Sequence, residues 1–116
     1  MIVVVAMNAI KKPALDEFKS LAAELVAETR KEQGCIDYEL YCHTEKKRVY
    51  SFIEKWDNRE CLDRHVVSAH FKRLVPKLNK CCRKPGTVDR YEIAEYGDKT
   101  VPDMPNESAA NPARKD

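Results

Sequence analysis

The sequence predicts an α+β fold of the ferredoxin-like kind: a four-stranded antiparallel sheet with helices on one face, in the order β-α-β-β-α-β. Three observations predict it. Residues 2–9 are an apolar run. Residues 14–33 repeat apolar side chains at helical spacing. Residues 35–56 hold two strand-like runs joined by a short polar stretch, the pattern of a hairpin. At 116 residues the chain is one domain. Residues 1–96 carry the pattern, and 97–116 read as an extended or flexible tail.

From Ile2 to Ala9 neither face is polar, so this strand is expected to be central and covered on both sides. Asn8, a polar amide near its end, is either satisfied by backbone or aimed into a pocket. Lys11-Lys12-Pro13 is a turn, with proline suited to a first helical turn. The helix from Ala14 to Gln33 places Leu15, Phe18, Leu21, Ala22, Leu25, Val26 and Thr29 on one face. Gly34 is its expected C-terminal cap. Cys35 to Cys42 alternates as a strand, His43 to Lys47 turns, and Arg48 to Trp56 returns antiparallel. Asp57 and Glu60 have the spacing of a capping box opening a helix from Asn58 to Val67. Ser68 is the expected N-cap of a second helix, with Phe71, Leu74, Val75 and Leu78 at helical spacing. Pro76 is expected to kink or break it. Lys84-Pro85-Gly86 turns, and Thr87 to Tyr96 is the last strand.

Lys and Arg total 21 against 19 Asp and Glu, interspersed, which argues against nucleic acid as a partner. The N-terminal apolar run is too short for a membrane span and lacks the basic residues of a signal peptide, so a cytoplasmic protein with no membrane partner is expected. Five cysteines without a C-x-x-C spacing read as reduced thiols, with no metal site. Two helices can cover only one side of the sheet. Val49, Ser51 and Ile53 are not polar enough for a wetted back face, so a symmetric homodimer is expected.

The stretch from Tyr50 to Trp56 concentrates the candidate chemistry. Tyr50, Phe52, Glu54 and Trp56 are two apart and share one face of a strand, setting a carboxylate and an indole beside two more rings. The simpler reading of Glu54 is a cross-strand ion pair. That of Trp56 is a core ring. His65 and His70 follow, as bases or as packing residues, and Phe71 is core first and pocket lining second.

Three segments resemble the antibiotic biosynthesis monooxygenase domain family. They are Glu32-Gln33-Gly34-Cys35-Ile36-Asp37-Tyr38-Glu39-Leu40, then Tyr50 to Trp56, then Leu62-Asp63-Arg64-His65 with Ser68-Ala69-His70-Phe71. The family's pattern is E-x-G-C-x-x-Y-x-L, Y-x-x-x-E-x-W and L-x-x-H-x-x-S/T-x-H-F. The resemblance implies a dimeric α+β barrel with a small-molecule pocket between sheet and helices. Members include cofactor-free oxygenases of quinols and polyketide aromatics, haem-degrading enzymes and an isomerase of a phosphorylated signalling sugar derivative. Asn8 corresponds to a polar strand-end residue in the pocket and Trp56 to its indole wall. His65 and His70 match the family histidines, while Val75 stands where the haem-degrading branch needs a ligand. The isomerase reading calls for converging basic residues or a glycine-rich turn at a phosphate, and Lys11, Lys12, Arg73 and Lys77 are the basic candidates.

The expected function is therefore cofactor-independent oxygenation of an electron-rich aromatic, with molecular oxygen as co-substrate. No nucleotide, flavin or metal motif is present. The catalytic candidates are His65, Asn8 and Trp56; the substrate-binding candidates are Tyr50, Phe52, Glu54, His70 and Phe71. The alternatives are the isomerase and a noncatalytic ligand-binding dimer.

Overall fold

The computed structural model describes residues 1–97, so the tail expected over 97–116 lies, but for Gly97, outside the described residues. The order is β1 (Ile2–Ala9), a 3-10 turn (Lys12–Ala14), α1 (Leu15–Thr29), β2 (Cys35–Cys42), β3 (Val49–Trp56), α2 (Arg59–Val66), α3 (Ala69–Lys80) and β4 (Thr87–Glu92). The strands form one antiparallel sheet in the order β2-β3-β1-β4. This is the ferredoxin-like α+β arrangement the sequence predicts.

The helices cover one sheet face. Phe18, Ala22 and Leu25 of α1, Leu62 of α2, and Leu74 and Leu78 of α3 bury against Val4, Tyr38, Phe52 and Trp56. Burying a large apolar side chain stabilises by about 1.5–3 kcal/mol, which explains why these helical stripes fix the layer. The opposite sheet face is open. Val3, Val5 and Ile53 are half-buried, and Met7, Tyr41 and Tyr91 are exposed. The expectation that β1 is covered on both sides is thus corrected within one chain: it is central, but covered on one side.

Several boundaries differ from the sequence reading. α1 stops at Thr29, four residues before Gln33. Turn hydrogen bonds then lead to Gly34, which closes a turn at φ +83° rather than capping the helix directly. The cap of α2 is Asn58, whose Oδ1 accepts from the Cys61 N–H at 3.0 Å, and not Asp57. A side chain caps the N–H three residues ahead of it, so the register is set by where the strand ends. Ser68 caps α3 as expected, accepting from the Phe71 N–H at 3.3 Å. Pro76 sits inside α3 without ending it. Burial of Leu74 and Leu78 on either side offsets the lost backbone bond. β4 ends at Glu92 rather than Tyr96, and all its residues are exposed. No helix among the described residues is long and apolar enough to cross a membrane.

Candidate active site

A cavity of about 320 Å³ lies between the helix-facing side of the sheet and helices α2 and α3. Strand register builds its floor. Val4 pairs with Glu54 on one side and Arg90 on the other, and Glu54 pairs with Tyr38. One row across the sheet thus reads Tyr38, Glu54, Val4, Arg90. The next row reads Phe52, Ala6, Val88. Short side chains at Val4 and Ala6 leave room where larger ones would fill the layer. Leu62, His65, Phe71 and Val75 close it from above. It shares Ala6, Asn8, Val75, Asn79 and Val88 with an outer hollow of about 620 Å³ that opens past Arg83 and Lys84.

Glu54 is 5% exposed and lines this cavity. It forms no cross-strand ion pair among the described residues; its Oε1 accepts from the Trp56 indole N–H at 2.9 Å. Burial pushes its carboxyl up to about 7, opposed by the indole hydrogen bond and by Arg90. Desolvation wins because Arg90 stands on the exposed edge strand. Glu54 is therefore a carboxyl that exchanges its proton near neutrality.

His65 is 1% exposed. Its ring packs on Trp56 at 4.7 Å, Phe71 at 5.1 Å and Tyr38 at 5.4 Å between centroids. Nδ1 lies 2.7 Å from Glu32 Oε2. A carboxylate only accepts, so Nδ1 carries a proton and donates it. Nε2 is buried and has no hydrogen-bond partner among the described residues. Burial pulls the imidazole below its ordinary range, with the Glu32 hydrogen bond opposing. The neutral ring thus holds a bare acceptor nitrogen on a side chain that lines the cavity.

Glu32 also accepts from His70 Nε2 at 2.6 Å. One carboxylate oxygen so orders both family histidines, and Ser68 Oγ stands 3.2 Å from His70 Nε2. The ligand atoms of Glu32, His65 and His70 lie within 4.8 Å of one another, a donor set of the kind that takes a divalent ion. Their 2.6 and 2.7 Å separations are hydrogen-bond lengths that ring protons account for.

Of the residues singled out by sequence, Asn8, Phe52, Glu54, His65 and Phe71 line the cavity. Asn8 satisfies both of its readings: Nδ2 donates to the Ala6 carbonyl at 3.2 Å, and the amide borders the cavity. Trp56, fully buried, stands behind the cavity and holds Glu54. Tyr50 packs on Phe18 at 5.6 Å, and His70 contacts Glu32; neither lines the cavity. Among the described residues, Lys11, Lys12, Arg73 and Lys77 do not converge on the cavity. Arg73 pairs with Glu24 at 2.7 Å, and Lys11, Lys12 and Lys77 are not in the lining. Sequence reasoning missed Glu32, Tyr38 and Arg90 as site residues. Glu32 and Tyr38 lie within the first quoted motif, but only the turn at Gly34 and the hairpin register bring them to the site.

The family model described as "Antibiotic biosynthesis monooxygenase" matches residues 1–77. A Synechocystis protein, described as uncharacterized, is 35% identical over 94 residues, 80% of this chain, which spans 64% of that relative's length. "Putative monooxygenase YcnE" of Bacillus subtilis is 32% identical over 95 residues, 82% of this chain and all of its own length. A crystal structure described as an antibiotic biosynthesis monooxygenase superposes with a TM-score of 0.78 at 38% identity, covering 82% of this chain and 100% of that one.

Proposed function

Because this chain belongs to the antibiotic biosynthesis monooxygenase family, we propose that it is a monooxygenase of a small electron-rich aromatic, quinol-like or polyketide-like, needing no resident cofactor. The observation that carries this reading is His65: Nδ1 is fixed on Glu32 while the buried Nε2 has no partner among the described residues and the ring lines an apolar cavity. A buried bare nitrogen is costly unless a ligand satisfies it, and a substrate hydroxyl would.

His65 Nε2 takes the hydroxyl proton, and Glu32 stabilises the imidazolium that forms. The resulting phenolate passes one electron to oxygen. The aryloxyl radical and superoxide couple at a ring carbon, forming the new C–O bond. His65 returns its proton to the peroxide. The hydroperoxide O–O bond then breaks, and its terminal OH leaves as water with the hydrogen of that ring carbon. One oxygen atom stays as the ketone. A quinol and O2 thus give a hydroxyquinone and water. Glu54, when protonated, donates to the oxyanion, and the amide of Asn8 borders the same space. The open sheet face supports a homodimer as the working unit.

Oxygen uptake with menadiol tests the reading. His65→Ala is expected to lower kcat by about 10²–10⁴-fold, and Glu32→Gln to lower it less. Undiminished turnover in His65→Ala would refute the assignment.

A further inference from the structure

We propose that Arg90 anchors a carboxylate of the substrate, and that the substrate class is a hydroxylated aromatic carboxylic acid. This rests on the reading of the cavity as an aromatic site and adds which aromatic it takes. The floor row carries the argument. Glu54, Val4 and Arg90 are paired neighbours on three adjacent strands and face the same cavity. Adjacent strands lie about 4.8 Å apart, so Glu54 and Arg90 are separated by about 10 Å of backbone, with only the small Val4 between them. The row runs from a buried carboxyl, over an aliphatic floor, to a cation at the exposed edge strand, and His65 lines the same cavity.

A fused-ring aromatic laid over Val4 fits these demands. Its hydroxyl meets His65 and Glu54 at the closed end, and its carboxylate meets the guanidinium at the open end. A neutral quinol leaves the guanidinium unused. A carboxylate directed inward would face Glu54. Among the described residues Arg30 and Arg73 are committed to Glu39 and Glu24, at 2.8 and 2.7 Å. Arg90 makes no such pair, although its charge acts on Glu54 across the floor. Its planar fork suits a carboxylate bidentately, which a lysine would not reproduce.

The chain's one tryptophan offers the readout. Trp56 is buried against His65 and bonded to Glu54, beside the closed end. Quenching of its fluorescence is titrated with 6-hydroxy-2-naphthoate, whose hydroxyl and carboxylate lie at opposite ends of two fused rings, and with 2-naphthol. The carboxylate is expected to tighten binding roughly 10- to 100-fold, the range of a charge-assisted contact. Arg90→Gln should abolish that difference between the two compounds. Lys72→Gln, a surface cation on α3 away from the cavity, should change neither.

If both naphthalenes bind equally, or Arg90→Gln leaves the difference intact, the anchor is wrong while the aromatic site stands. An equal loss in Lys72→Gln would reduce the effect to general attraction and overturn the assignment too. If neither compound binds, the aromatic site falls and the anchor with it.

Discussion

The Glu54 carboxyl holds its proton to about 7 in the folded chain, against an ordinary value of 4.5. The sign follows from proton counting. Between those values the folded chain binds more protons than the unfolded one, so stability falls as pH rises through that window. The loss amounts to about 3 kcal/mol above pH 7. Glu54→Gln keeps an acceptor for the indole and removes the titration. Its urea-unfolding free energy should lose that fall over the window and exceed the parent's at pH 8. Menadiol turnover should fall as pH rises above 7 in the parent and keep rising or level off in Glu54→Gln. His65 behaves oppositely. Its lowered pKa means the unfolded chain takes protons first as pH drops below about 6.5, so that side chain destabilises the fold on the acid side. Trp56→Phe strips the carboxyl of the indole donor. It should cost about 1–3 kcal/mol in chemical denaturation.

At the scale of elements, the site depends on where α1, β3 and α2 stop and start. Gly34 holds φ +83°, and its carbonyl accepts from the Asp57 N–H at 2.9 Å. A methyl group there would collide with the Cys61 side chain. Gly34→Ala should therefore lower stability by more than about 1–3 kcal/mol, since backbone strain and the clash add. Thermal unfolding gives the comparison. Asn58→Ala should cost about 1 kcal/mol by loss of the α2 cap, and Asp57→Ala much less. Glu32 lies in the same turn, so Gly34→Ala should also weaken catalysis through the orientation of His65.

At the scale of the molecule, four strands carry helices on one side only. Val3, Val5, Met7 and Ile53 form an aliphatic centre on the other side, with Tyr41 and Tyr91 towards its edges. The proposed homodimer covers this face. Ile53→Glu, placed at its centre, should yield monomers by light scattering while retaining the far-UV circular dichroism of the sheet. A monomeric parent at micromolar concentration would remove the dimer.

Composition and periodicity settled the element order and the antiparallel hairpin, because side-chain spacing of two or 3.6 residues is a local property of the chain. The shared face of Glu54 and Trp56 was legible for the same reason. Local pattern could not show that Trp56 serves Glu54 from behind the cavity or that Glu32 ties His65 to His70. Nor could it show that Arg90 completes a row begun by Glu54, since each joins residues two to 38 positions apart whose contact depends on packing or register. Burial decided the chemistry. The same carboxyl and imidazole on a wetted surface would keep their ordinary pKa values, and only the packed layer between sheet and helices moves both towards neutral forms.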